Sequence, residues 1–245
     1  MSLRTLILTF FFTVVVMLNV SGQTKGSLWY ELGGNANSVW ILNQDIYGNP
    51  ELPYMTKFGM YATTGFNYFY DNKHGVNIKV GYGTFGQDYA GEMRKTYVKR
   101  KVTFKYMHIP VTHMWKVGKP HKPLWLEVGP QFSWLMDAKQ EYGESLGGYG
   151  PKYRQYLPIG DTNVTKWFIP YDAQIQFRVT KYYKIKKIKF LLFKIGLDGA
   201  IGLLDINAKP YRIPNVHDIY GSSHNFYVGF QGTVMLRMVK GKYSR

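Results

Sequence analysis

Along most of the chain every second residue is apolar. Phe58, Met60, Ala62, Thr64, Phe66, Tyr68 and Tyr70 form one mostly apolar set, with Lys57, Gly59, Thr63, Gly65 and Asn67 between them. Val76, Ile78, Val80 and Tyr82 alternate with Asn77, Lys79, Gly81 and Gly83; Val102, Phe104 and Tyr106 alternate with Thr103 and Lys105. Leu124, Leu126, Val128, Phe132, Trp134 and Met136 oppose Glu127, Gly129, Gln131, Ser133 and Asp137. Trp167, Ile169, Tyr171, Ala173, Ile175, Phe177 and Val179 oppose Asp172, Gln174, Gln176, Arg178 and Thr180. Leu191, Phe193, Ile195, Leu197, Ile201 and Leu203 oppose Lys194, Gly196, Asp198 and Gly202. Phe226, Val228, Phe230, Val234, Leu236 and Met238 oppose Gly229, Gln231, Thr233 and Arg237, and Leu28 to Asn37 fits more weakly.

A period of two puts the two sets on opposite faces of a strand. These strands exceed the usual ~5 to 6 residues and are long enough to cross a bilayer at a tilt. A soluble β-sandwich would also give each strand one apolar face. The strand length, and a second face of small and polar residues suited to a narrow closed interior, favour a barrel. Lipid tolerates no open sheet edge, so the sheet must close. The pattern therefore predicts an all-β fold: an eight-stranded antiparallel up-and-down transmembrane β-barrel.

The connections alternate in length. Asp71–His74, Lys116–Pro123 and Lys181–Lys187 are short; Ser38–Thr56, Gln87–Lys101, Ala138–Lys166 and Asp205–Ser222 are long. Outer-membrane barrels show this alternation, with short periplasmic turns and long extracellular loops. Tyr68, Tyr70, Trp115, Trp125, Trp134, Trp167, Tyr182 and Tyr183 fall near predicted strand ends, where an interfacial aromatic girdle belongs. Before the first strand, Arg4 precedes an apolar run from Leu6 to Val20, then Ser21 and Gly22. That is the form of a secretory signal peptide, so residues 1–22 are expected to be a signal and 23–245 the barrel domain.

Composition narrows the picture further. Aromatic residues make up 17% of the chain, which suits strands. With no cysteine there is no disulfide framework, thiolate metal site or cysteine nucleophile. The net charge of +16 would suit nucleic acid, but export argues against that partner. It points instead to outer-membrane lipid, lipopolysaccharide phosphate or an acidic envelope protein.

Several short runs carry a family resemblance: Thr64-Gly65-Phe66 with Tyr68-Phe69, His74-Gly75-Val76, Gly86-Gln87 with Tyr89, Tyr106 to Val111, and Leu126-Glu127-Val128-Gly129-Pro130. About a third of the chain thus resembles the PorT-like outer-membrane β-barrel family of Bacteroidota. At the family's Leu-Glu-Ile-Pro run, His108 stands where the acid would be. The resemblance implies a small eight-stranded barrel, for most members without defined activity; the namesake member serves type IX secretion.

Candidate chemistry is sparse. His108 and His113 are five apart on one strand and face opposite sides, and no metal-ligand spacing such as HExxH occurs. Ser222 and Ser223 lie beside His224 at the expected outer rim, which keeps a lipid A-modifying enzyme as the alternative, although a serine hydrolase needs Ser, His and an acid to converge. No catalytic residue, cofactor or metal is expected. The inward set carries Lys79, Lys105, Lys194, Arg178 and Arg237 with Glu127, Asp172 and Asp198, which in a narrow lumen must pair. Arg94, Lys95, Lys99, Arg100 and Lys101 crowd the second long loop, placed for lipopolysaccharide phosphates. Lys181, Lys184, Lys186, Lys187 and Lys189 crowd a periplasmic turn. Tyr142, Tyr149, Tyr153 and Tyr156 make the third loop a contact surface. The expected role is a non-enzymatic structural or docking component of the cell envelope, linked to a secretion or motility assembly.

Overall fold

The alternating segments form antiparallel strands in a computed structural model that describes residues 26–42, 53–93, 96–119, 123–145, 156–159, 163–185, 188–212 and 221–239. In chain order they are β1 (Ser27–Leu42), β2 (Tyr54–Met55), β3 (Lys57–Phe69), β4 (His74–Met93), β5 (Thr96–Val117), β6 (Leu124–Ser145), β7 (Tyr156–Ile159), β8 (Tyr171–Ile185), β9 (Ile188–Gly202) and β10 (His224–Val239). Eight of them close a ring in the order β1-β3-β4-β5-β6-β8-β9-β10, with β10 returning to β1. Closure pairs the two ends of the ring directly: Leu28 faces Val239 and Leu42 faces His224. The short β2 and β7 are additions at the outer flanks of β4 and β6. The expected signal segment lies outside the described residues.

The short turns are built locally. Between β3 and β4 the Asp71 carboxylate accepts the backbone N–H groups of Lys73 and His74, each at 2.6 Å, and bonds the His74 ring at 2.8 Å. Slight burial works to raise the Asp71 pKa, but these hydrogen bonds outweigh it and the pKa falls below the usual carboxylate value.

On β8, Tyr171, Ile175, Phe177 and Val179 are exposed, while Asp172, Gln174, Gln176, Arg178 and Thr180 are buried. This inverts a soluble protein: apolar outside, polar inside. The same order holds on β3, β9 and β10. On β5 the outward stretch from Met107 to Trp115 is apolar except for His113, which packs on Trp115, and its length is close to the ~9 to 11 residues a tilted strand needs to cross hydrocarbon.

Above Met107 the order reverses. Val102, Phe104 and Tyr106 are buried inside, and Thr103 and Lys105 face out. The alternation had suggested the opposite orientation. The reason is the surroundings: this part of the wall stands above the membrane, so its outer face meets water. Its inner face packs on the chain itself; the Phe104 ring meets Phe168 edge-on at 4.5 Å, in a cluster with Val164 and Ile206.

Nor is Gln87–Lys101 a loop. Gln87 pairs Val102, Asp88 pairs Lys101, and pairing continues to Met93 with Thr96. Together with β6, which continues to Ser145, β4 and β5 form a three-stranded sheet rising past the rest of the wall. Gly86 sits where β4 leaves the membrane zone, with φ of 131°. A Cβ there would lie 2.0 Å from the Val102 carbonyl oxygen. Gly86→Ala is expected to cost roughly 1–3 kcal/mol from backbone strain, seen as a lower temperature for the heat-induced shift of the folded barrel on a gel.

Candidate functional site

The lumen is filled in three layers. At the periplasmic end Trp29, Leu192 and Met235 pack with Phe69 and Tyr182 into an apolar floor. At the extracellular end Tyr61, Phe85, Phe104, Tyr106, Phe168 and Tyr227 form an aromatic roof. His108 is buried under it, its ring edge-on to Phe85 at 4.7 Å and its Nδ1 2.7 Å from the Ser133 hydroxyl.

Between floor and roof lies a closed set of three carboxylates and three cations. Lys79 contacts Glu31 at 2.5 Å. Lys194 lies 2.6 Å from Glu127 and 3.6 Å from Glu31. Arg178 joins Glu127 and Asp198, each at 2.9 Å. All six are fully buried, so the formal charges cancel inside a low-dielectric tube.

Neutral donors complete the set. Asn67 and Asn77 donate amide N–H to Glu31 at 2.6 and 2.9 Å, and Thr180 donates its hydroxyl to Glu127 at 3.2 Å. Asp198 accepts from Gln176 at 3.0 Å and from the Asn35 amide and Tyr61 hydroxyl. A buried carboxylate is tolerable only when its lone pairs are met in this way.

Five expected members join this network: Lys79, Glu127, Arg178, Lys194 and Asp198. Three do not. Lys105 faces outward and lies half-exposed, 3.4 Å from Asp137, because β5 has already left the membrane at that height. Asp172 is buried but sits under the roof, accepting from Gln174 at 2.7 Å and Asn225 at 2.9 Å. Arg237 lies at the periplasmic mouth with its guanidinium over the Trp29 ring.

The sequence reading missed Glu31, on the weakest strand pattern. Its signal was the run of odd polar positions Glu31, Asn35 and Asn37. It also missed Tyr61, which stood uncounted between Gly59 and Thr63. Two expected girdle residues, Trp125 and Tyr182, instead point inward and line the floor. Trp115, Trp134 and Tyr183 are exposed on the outer surface.

Of the expected anion-contact group, Arg94 and Lys95 lie outside the described residues. Arg100 turns inward, donating to Gln140 at 2.8 and 3.1 Å and stacking on Tyr89. Lys99 and Lys101 occupy the outward positions of β5. Tyr149 and Tyr153 of the expected third-loop surface fall outside the described residues. His108 and His113 do face opposite sides: His108 is inside, and His113 packs on Trp115 outside at 4.4 Å. Among the described residues no group of three or more His, Asp or Glu is placed to hold a metal ion. Ser222 and His224, two apart, do meet: the hydroxyl lies 2.9 Å from Nε2.

A closed antiparallel ring, apolar outside and packed with polar groups inside, defines a class: the transmembrane β-barrel of the bacterial outer-membrane type. Among solved structures the chain is similar to the outer membrane protein OprG of Pseudomonas aeruginosa (8% identity, 88% of this chain and 97% of that one, TM-score 0.40). It is also similar to Ail, the attachment invasion locus protein of Yersinia pestis (12% identity, 86% and 97%, TM-score 0.34). A third similarity is to Neisserial surface protein A (9% identity, 88% and 98%, TM-score 0.30). These likenesses concern the fold alone. No protein-family model and no curated protein matches the chain.

Proposed function

We propose that the chain is a non-enzymatic barrel of the bacterial outer membrane, acting as a structural or docking component of the envelope. On its resemblance to the PorT-like family, we assign that role to a secretion or motility assembly. The observation that carries the reading is the six-charge layer held between an apolar floor and an aromatic roof. A lumen packed in this way supports scaffolding rather than transport. An eight-stranded tube has room for little more than its own side chains, and any ion would have to displace paired, desolvated charges. What remains for interaction is the outside, above all the sheet of β4, β5 and β6 that rises above the membrane zone.

Two measurements test this. In planar bilayers the purified protein should give no stepwise conductance at moderate voltage; regular open channels would refute a plugged lumen. Deletion of the gene should reduce export of cargo proteins or gliding, and unchanged secretion and motility would remove the assembly assignment.

A second reading, a lipid A-modifying enzyme of the outer leaflet, draws on the Ser222–His224 contact. His224 pairs Leu42 at the upper end of the wall, where lipid ester groups lie. Mass spectra of lipid A with and without the gene decide it: an acylation change present in the parent strain and lost with Ser222→Ala would establish the enzyme.

A further inference from the structure

The strands of the wall do not all end at the same height. On the side of β8 and β9, exposed apolar residues persist to the strand ends or just beyond, at Tyr171 and Leu203. The outward residues Trp40 and Leu42 of β1 and Phe226 of β10 keep that face apolar to the strand ends while half-buried, Trp40 and Phe226 packing ring to ring. On the opposite side β4, β5 and β6 continue, and their outward residues change from apolar to charged just past Met107 and Met136. This face must therefore run through the headgroup layer of the outer leaflet.

Pairing fixes its rows. Lys105 stands between Thr84 and Asp137, Thr103 between Gly86 and Lys139, Lys101 between Asp88 and Glu141, and Lys99 between Ala90 and Gly143. Lys57 reaches over from β3 to hold Asp88 at 2.8 Å and Thr103 at 2.9 Å. With Asp88 taken up by Lys57 and Asp137 3.4 Å from Lys105, Lys101 and Lys139 face the single carboxylate of Glu141 among the described side chains of these rows, leaving them cationic.

Height narrows the partner. At ~3.3 Å rise and ~45° tilt, Lys105 lies roughly 5 Å above the level of Met107, and the Lys139 row roughly 9 Å above it. Headgroups occupy about 5–8 Å on each side of the hydrocarbon. Lys99 stands far higher, roughly 19 Å by the same arithmetic, beyond a phospholipid headgroup and within reach of a glycolipid's sugars.

We propose that the outward face of β4, β5 and β6 is a binding surface for the phosphorylated glycolipid of the outer leaflet, with Lys105 and Lys139 meeting its lipid-proximal phosphates and Lys101 and Lys99 its sugar portion. This rests on the outer-membrane reading and adds a lipid class and the residues that select it. Phosphate, an acceptor-rich dianion, suits lysine held at a fixed height against the layer that carries it.

The test uses the full-length protein extracted in a zwitterionic detergent and titrated with bisphosphorylated lipid A, with the same lipid A after phosphatase treatment, and with phosphatidylglycerol micelles. The bisphosphorylated form should bind at least tenfold more tightly than either of the others. Lys105→Gln with Lys139→Gln should weaken it on the order of tenfold, while Lys184→Gln with Lys189→Gln at the periplasmic rim should leave it unchanged. Equal binding of dephosphorylated lipid A, equal binding of phosphatidylglycerol, or no loss in the Lys105/Lys139 variant overturns the assignment. Should the double variant fail to show the heat-shifted folded band, the exposed Lys139→Gln alone carries the comparison. Recovery of the wild-type protein outside the outer-membrane fraction would instead defeat the underlying reading.

Discussion

Arg178→Met is expected to destabilise the barrel by roughly 3–5 kcal/mol, the cost of leaving buried charge without its partner. Arg178 is the only described side chain in ion-pair contact with both Glu127 and Asp198, and it also donates to Asn77 at 3.1 Å and to Gln176. Methionine fills much of its volume but answers none of these acceptors. Asp198 then keeps only neutral donors, while Glu127 keeps Lys194. The measurement is the midpoint temperature of the heat-induced gel shift, supported by urea unfolding in lipid vesicles. Adding Asp198→Asn should recover a good part of the loss, since it removes the charge that Arg178 had neutralised. A loss under about 1 kcal/mol for the single variant would mean that water reaches the layer and that the lumen is open.

The second large effect lies on the outer wall and depends on depth. Leu197 is midway along the exposed apolar stretch of β9, between Phe190 and Leu203. Leu197→Arg should cost about 2–4 kcal/mol, whereas Phe190→Arg, near the periplasmic edge, should cost roughly 0–1 kcal/mol. Thr103→Arg on β5 should be close to neutral, because that outward position already stands above the hydrocarbon. A uniform response at the three sites would show that no lipid-facing belt exists and would return the molecule to the soluble class.

Much of the buried charge layer was legible in the sequence. Glu127, Arg178 and Asp198 are direct neighbours across β6, β8 and β9, so correct faces on adjacent strands were enough to bring them together. Glu31 was different. It meets Lys79, Lys194, Asn67 and Asn77 from β1, whose faces were poorly marked by small residues such as Gly33, Gly34 and Ala36. Trp125 and Tyr182 were misplaced because an aromatic residue near a strand end fits an interfacial girdle and a lumen floor equally well. Arg100 was read as a loop cation because its neighbours Lys99 and Lys101 suggested an exposed run; on a strand, the middle residue of three points the other way.

By itself the sequence determined which residues share a face, how many strands cross the membrane zone, and that three of the connections between them are tight. Those properties follow from a backbone period of two and from local turn chemistry, and both act over a few residues. Only the tertiary structure decided at what height the interior stops being polar and becomes apolar. On β5 the two faces exchange character between Met107 and Lys105, because lipid surrounds the wall below that level and water above it. Closure of the ring likewise brought Glu31 against Lys79 and Lys194, and Tyr61 against Asp198. A one-dimensional pattern carries alternation but neither the height of the membrane nor the far side of the tube.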